Sequence, residues 1–324
     1  MTRPTSVVRA VAAVLSLLLA GGCGDDGGGG DGSDAGGDGD GGHTDGGARP
    51  DGRGDDFACK HLDIVIAVDG SSSMNEEMAA MGSEVFPGFA DALLDISDGL
   101  EDYRVGVVDA CADEPTFNTT GEPGSPAECT QSSGDQGSRQ CDFASGEAWI
   151  EATPATDPGD VKREFRCVGQ IDRVQGSDDL TVGTCSGDND DERPTQAAIA
   201  ALQPGANPGF LRDDAVLVVV AVTDEDEHTI PSQSAQRLYD DLVAAKGDVK
   251  DMVFLGIGGG PGGCSNQCPD NYGSADEASK LHSVTSKFIA EERGVWWNLC
   301  DGDLGSGLAE ALDVIEQACD DFVE

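Results

Sequence analysis

Basic residues are what this chain has least of. Against 62 Asp and Glu it carries 19 Lys and Arg, and its formal charge is −43. Phosphate backbones are held by clusters of Lys and Arg, so a nucleic-acid binder is excluded. Aromatic residues make up 5% of the chain, with three Trp and three Tyr, which leaves no stacking platform. The four His (His43, His61, His228 and His282) lack ligand spacing, and no pair of Cys-x-x-Cys motifs exists, so zinc does not explain the cysteines. There is no P-loop, and the Gly-x-Ser-x-Gly elbow of hydrolases is missing. Gly258 to Gly263 satisfies Gly-x-Gly-x-x-Gly but runs into Cys264 instead of opening a helix, which excludes a dinucleotide fingerprint. Apolar residues reach only 38%, a value lowered by one Gly/Asp-rich segment.

What is present begins with an address. Arg3 and Arg9 precede a short apolar run, Ala10 to Ala20, too short to span a bilayer but suited to a signal peptide. The run ends in Leu19-Ala-Gly-Gly-Cys23, which resembles the lipobox of bacterial lipoproteins, with Ala20 where Leu is usual. That resemblance implies residues 1–22 as a lipoprotein signal peptide and Cys23 as the lipidated N-terminus; secretion with cleavage nearby is the alternative. Two acyl chains supply the stable anchoring that one cannot. The implied location is the bacterial cell envelope, at the outer membrane or cell surface, with the lipid anchor as the sole membrane contact.

Residues 23–56 form a tether. From Gly24 to Asp56 there are 15 Gly and 10 Asp in 33 residues, a composition that cannot bury a core. A Gly-rich coil of this length reaches about 30 Å. After removal of Cys23, ten cysteines remain: Cys59, Cys111, Cys129, Cys141, Cys167, Cys185, Cys264, Cys268, Cys300 and Cys319. An even number in an exported chain reads as a disulfide framework. Cys59 and Cys319 bracket residues 57–324, the folded domain, and a bridge joining them is expected; the remaining pairing stays open.

Along that domain strands and helices alternate. Strands are expected at Asp63–Val68, Tyr103–Asp109, Ala215–Thr223, Met252–Ile257 and Gly294–Leu299. Helices are expected at Asn75–Ile96 with an interruption at Pro87-Gly88, and at Pro194–Leu202, Ser232–Ala245, Ser274–Glu292 and Leu304–Cys319. This alternation predicts an α/β fold, a doubly wound and mostly parallel sheet. Residues 110–191 break the rhythm: rich in Gly, Pro, Ser and Asp, and holding five cysteines, they read as a disulfide-rich insertion.

Chemistry gathers at two strand ends. The first strand delivers Asp69, Ser71 and Ser73, an Asp-x-Ser-x-Ser run of oxygen donors suited to a hard divalent cation. Asp224, in Thr-Asp-Glu-Asp-Glu227, follows the most apolar strand. Ligands in open α/β sheets bind at the carboxyl ends of strands. The alternative for Ser71 to Ser73 is a helix cap, which leaves Asp224 unexplained. Glu225, Asp226 and Glu227 read as a solvated loop or, alternatively, as groups that support the metal ligands from behind.

Together these residues resemble the von Willebrand factor A domain and its metal-ion-dependent adhesion site, over about Cys59 to Cys319, and especially the bacterial lipoproteins that carry such a domain behind a Gly/Asp-rich linker. The resemblance implies Asp69, Ser71, Ser73 and Asp224 as ligands of Mg²⁺ or Mn²⁺, with Ca²⁺ a further candidate. It also implies a Thr near Arg193. Thr195 is offset from that position, so Thr195, Glu192 or Asp190 supplies the ligand, or the ligand is lost. The implied function is metal-dependent protein binding or adhesion, without catalysis, toward a protein partner that offers an Asp or Glu carboxylate. The rivals are a metal-free structural envelope lipoprotein and a metal-dependent hydrolase.

Overall fold

A computed structural model describes residues 59–74, 77, 81, 85–95, 100–112, 115–121, 139–169, 192–227, 233–264 and 274–322. The signal peptide, Cys23, the tether, Cys129, Cys185, Cys268 and Asp190 lie outside the described residues.

Three strands form the centre: one is an unbroken apolar run, and the other two each carry a run of branched apolar residues toward their carboxyl ends. β1 (His61–Val68) is buried from its second residue onward, and β6 (Ala215–Val222) is buried throughout. β2 (Asp102–Asp109) pairs with β1 in parallel, His61 opposite Asp102 and Val68 opposite Asp109. β6 lies parallel on the other side of β1, with Val68 opposite Val222. β7 (Met252–Gly258) and β8 (Gly294–Asn298) extend the sheet in parallel. Runs buried on both faces are what a parallel sheet requires, since helices cover each side.

The insertion is structured where its described residues allow a view. β3 (Thr120–Gly121) and β4 (Arg139–Gln140) pair antiparallel as a separate ladder. β5 (Ile150–Ala152) adds an antiparallel edge to β2, which makes the six-stranded order β5-β2-β1-β6-β7-β8. Phe117, Trp149 and Phe210 meet edge to face, with ring centroids 4.5 and 5.5 Å apart at Phe210, and clamp the insertion to the domain. The sequence pattern predicts neither β5 nor the helix that follows it.

Side-chain alternation distributes the core. Ile64, Ile66 and Val68 face one way. There they meet α1 (Phe86–Asp95), α2 (Pro158–Val168) and α6 (Leu304–Asp321) through Phe89, Leu93, Phe165, Leu308 and Ile315. Val65 and Ala67 face the other way. That side is covered by α3 (Pro194–Ala201), α4 (Ala235–Lys246) and α5 (Ser279–Ala290) through Ala197, Leu238, Leu242, Val284 and Phe288. Each fully buried Leu, Ile, Val or Phe contributes roughly 1.5–3 kcal/mol. Among the described residues no helix is long and apolar enough to cross a membrane.

Three disulfides join described cysteines. Cys59–Cys319 ties the start of the domain to α6, as expected, across a sequence separation of 260. Cys141–Cys167 staples the insertion to α2, and Cys264–Cys300 links the loop after β7 to the end of β8.

Several helix boundaries differ from expectation. α1 spans Phe86–Asp95 and follows directly on helical Val85, so the expected interruption at Pro87-Gly88 falls inside a helical stretch. α4 starts at Ala235 because Ser234 caps it, accepting from the Arg237 N–H at 3.2 Å. α5 starts at Ser279, not Ser274. The preceding residues instead pair as extended chain, Ala275 with Cys264 and Glu277 with Gly259. Gly259 is required there: a Cβ would sit 1.9 Å from the Asp276 carbonyl oxygen.

Candidate metal centre

The chain runs from β1 to β2 on one side, and β6 lies on the other side of β1, so the strand order reverses at the β1/β6 boundary. At such a reversal the loops leave the carboxyl edge in opposite directions and open a crevice. Asp69 and Asp224 are the residues that emerge into this crevice, one after β1 and one just past β6.

Asp69 is fully buried and held from three sides. Its N–H donates to the Val222 carbonyl at 2.9 Å, fixing it to the end of β6. Its Oδ1 accepts the Ser71 N–H at 2.6 Å, and its Oδ2 accepts the Thr223 hydroxyl at 2.7 Å. The Ser71 and Ser73 hydroxyls lie 2.7 Å apart, and Ser73 donates to Asp224 Oδ1 at 3.2 Å. A continuous polar line therefore runs from Asp69 through both serines to Asp224. Residues 75 and 76, whose N–H groups a cap at Ser71 to Ser73 would meet, lie outside the described residues. Asp224 is 2% exposed, whereas Ser73 is exposed, which opens the line to solvent at one end.

Electrostatics set this cluster apart. Burial pushes the Asp69 carboxyl up to about 7, against the opposing pull of its Ser71 and Thr223 hydrogen bonds, and the charge of Asp224 adds to the rise. Burial likewise pushes Asp224 up to about 6, and the charges of Glu77 and Glu225 reinforce it. The leading charges acting on these two carboxyls, Asp224 on Asp69 and Glu77 and Glu225 on Asp224, are all acidic. Two desolvated carboxylates with acidic neighbours and two interposed hydroxyls form an all-oxygen donor set, which fits a hard divalent cation. Among the described residues no group of three or more His, Cys, Asp or Glu side chains is arranged to hold a metal, so a cation here would depend on the serine hydroxyls.

Thr195 lies at the same edge of the sheet but is not joined to the other four. α3 is placed there by Arg193, whose N–H donates to the Ala110 carbonyl just past β2 at 3.0 Å. The Thr195 hydroxyl is buried beside the Glu227 carboxyl without a hydrogen bond of standard geometry; burial pushes that carboxyl up, and Thr195 opposes the rise. Glu192, the described alternative for the same ligand, is half-buried.

The acidic loop after β6 is not a solvated one. Glu227 is 1% exposed and accepts the Gln196 and Thr195 N–H groups at 2.9 and 3.3 Å, capping α3 from outside its own sequence. Asp226 Oδ1 accepts the Glu227 N–H at 2.9 Å and the N–H groups of Lys280 at 2.8 Å and Leu281 at 3.4 Å, capping α5. Caps of this kind satisfy donors that the first helical turn leaves open. Asp226 and Glu227 thus take the supporting reading and not the solvated one, and Thr223 is a structural member of the site that sequence reading missed. The one available signal was the density of acceptors immediately after the most apolar strand.

No protein-family model and no curated protein matches the chain. Among solved structures it is similar to proximal thread matrix protein 1 from the mussel byssus, at 14% identity and a TM-score of 0.41. That alignment covers 80% of this chain and 49% of the other, so the chain spans about half the length of that protein. It is also similar to an adhesive tip pilin from Group B Streptococcus agalactiae, at 14% identity and a TM-score of 0.25 over 60% of this chain and 35% of the pilin.

Proposed function

We propose that this chain is a lipid-anchored envelope protein whose folded domain is a doubly wound sheet of the von Willebrand factor A type, binding Mg²⁺ or Mn²⁺ and, through it, a protein partner. The observation that carries the reading is the pair Asp69 and Asp224. They come from two strand ends at the reversal of strand order, both are buried, and that burial raises Asp69 to about 7 and Asp224 to about 6. Ser71 and Ser73 lie between them within hydrogen-bonding distance, which completes a set of oxygen donors.

A cation bound here supplies an electrophilic centre with open positions for an incoming carboxylate. The chain's own part is positioning. Thr223 and the Ser71 N–H orient Asp69, Ser73 aligns Asp224, and the exposure of Ser73 leaves a way in for the Asp or Glu of a partner. In this reading the site engages a partner's carboxylate by adhesion or protein binding, without catalysis; turnover on an ester, phosphate or peptide panel would instead assign the buried carboxyls the role of general base. Cys23 and the Gly/Asp-rich tether then hold the domain away from the membrane at the cell surface or outer membrane. The acidic surface leaves nucleic acid without a binding face.

A metal-free structural role is the second reading. It is favoured by the separation of Thr195 from the other four residues, which leaves the ligand set one short. Thermal unfolding of the soluble domain in Mg²⁺, Mn²⁺ or EDTA, beside Asp69→Ala, separates the two. Stabilisation by cation that vanishes in Asp69→Ala supports the metal reading, and a melting temperature indifferent to cation, chelator and substitution gives the site to the metal-free role. Capture of an Asp-bearing or Glu-bearing partner that EDTA abolishes extends the test to binding.

A further inference from the structure

We infer that Asp226 is a positioning residue for the cation, holding Asp224 in register through the N-terminus of α5; the inference rests on the metal reading above. Asp224 follows the end of β6, where the ladder of the sheet no longer restrains the chain. The loop it opens is tied instead to residues 276–281, and at its far end to α3 through Glu227. The Asp276 N–H donates to the Asp224 carbonyl at 2.7 Å. Two residues on, Asp226 Oδ1 accepts from the Lys280 N–H at 2.8 Å and from the Leu281 N–H at 3.4 Å. The same oxygen accepts the Glu227 N–H at 2.9 Å, which closes the loop on itself.

The segment that anchors this loop is itself rigid. Ala275 pairs with Cys264 in both directions, at 2.7 and 3.0 Å, and the Ala278 N–H donates to the Gly259 carbonyl at 3.0 Å. Cys264 is in turn bonded to Cys300 at the end of β8. α5 packs its Leu281, Val284 and Phe288 into the core. The Asp224 carboxylate thus takes its position from a buried helix through Asp226. Groups that orient a metal ligand in this way typically change affinity about 10–100-fold when removed.

Removing Asp226 also removes a negative charge near the cation, and three substitutions separate charge from position. Asp226→Asn keeps the Oδ1 acceptor and loses the charge. Asp226→Glu keeps the charge and displaces the acceptor by a methylene. Asp226→Ala loses both. Mn²⁺ affinity of each purified domain is measured by calorimetry, beside the melting temperature in EDTA. Positioning predicts Asp226→Asn within about 2-fold of wild type, with Asp226→Glu and Asp226→Ala weakened about 10-fold or more. The reverse order, Asp226→Glu near wild type and Asp226→Asn weakened, assigns the effect to charge and overturns the inference. Equal affinity in all variants with a lowered melting temperature in EDTA also overturns it, because Asp226 would then only cap α5. The Asn and Glu variants decide the matter even if the Ala variant does not fold. A wild-type domain that binds no Mn²⁺ defeats the metal reading itself, an outcome distinct from the other two.

Discussion

The hydroxyl of Thr223 donates to Oδ2 of Asp69 at 2.7 Å, joining the residue just past one central strand to the first candidate ligand of its neighbour. Both residues are fully buried, so the bond is made where an unpaired carboxylate oxygen has no water to turn to. Thr223→Val keeps the shape and deletes the donor. The expected loss of stability is about 1–3 kcal/mol. Because Asp69 loses a restraint as well, Mn²⁺ affinity should fall by about 10-fold. Denaturant unfolding in EDTA reads the first effect and calorimetric titration the second.

The two site carboxyls make stability depend on pH in a direction opposite to that of ordinary surface acids. Asp69 rises to about 7 and Asp224 to about 6 on folding, so the folded state holds these protons more tightly than the unfolded chain does. Their contribution is complete below the unfolded value near 4 and is lost as pH climbs through 6 and 7. In EDTA the domain should therefore weaken from about pH 5 to pH 8. The slope is about 1.4 kcal/mol per pH unit for each carboxyl that is protonated when folded and ionised when unfolded. Asp69→Asn should flatten that decline and be the more stable protein at pH 8 without cation. Saturating Mg²⁺ should reverse the ranking at pH 8, because the ionised carboxylates then have a counter-charge. Urea titrations at pH 5 and pH 8, with about 0.5 M NaCl to screen the general acidic repulsion, measure all four combinations.

Which of these residues could be read beforehand follows from the range of the interaction each makes. Asp69, Ser71 and Ser73 sit within five residues behind a run of branched apolar side chains, so strand, strand end and donor set are all local. Asp224 follows the most apolar run of the chain in the same way. Glu227 is different: as an isolated acidic residue in an acidic loop it looks solvated, and only the fold brings the Gln196 N–H, 31 positions away, onto its carboxylate. β5 has three residues and lies in a stretch rich in Gly, Pro and Ser, where no periodicity can build up. The Cys59–Cys319 bridge was legible because a compact domain brings its ends together.

That bridge closes nearly the whole folded domain, and constraint of the unfolded chain grows with the size of the closed loop. Cys59→Ser with Cys319→Ser should cost about 2–5 kcal/mol. The unfolded state should also expand, which raises the denaturant dependence of unfolding. Cation affinity should stay within about 2-fold of wild type, since the bridge ties the start of β1 to α6 and the ligands leave the other end of the strand. Guanidinium unfolding of the double variant, with the remaining disulfides verified by thiol titration, tests the stability effect.

Asp63 is a buried carboxyl that depends on its guanidinium partner. It sits inside β1 and is fully buried, and burial raises its pKa despite the guanidinium beside it. Arg212 compensates for that burial: its N–H donates to Oδ2 at 2.6 Å and its Nε to Oδ1 at 2.8 Å, while its remaining nitrogens reach Asp102 and the Leu62 carbonyl at 3.1 Å. His61 Nδ1 contacts the other oxygen of Asp102 at 2.9 Å, and Lys246 donates to the Arg212 carbonyl at 2.7 Å. The network covers the amino edge of β1 and β2, opposite the edge that carries Asp69. Removing the guanidinium leaves a carboxylate stranded, so Arg212→Ala should lose about 3–5 kcal/mol. Arg212→Lys should recover only part of this, because an ammonium cannot satisfy Asp63, Asp102 and Leu62 at once. Asp63→Leu combined with Arg212→Met removes both charges together and should lie well above Arg212→Ala in stability. Urea unfolding of the three variants orders them, and a double variant as unstable as Arg212→Ala would show that the loss comes from packing and not from the stranded charge.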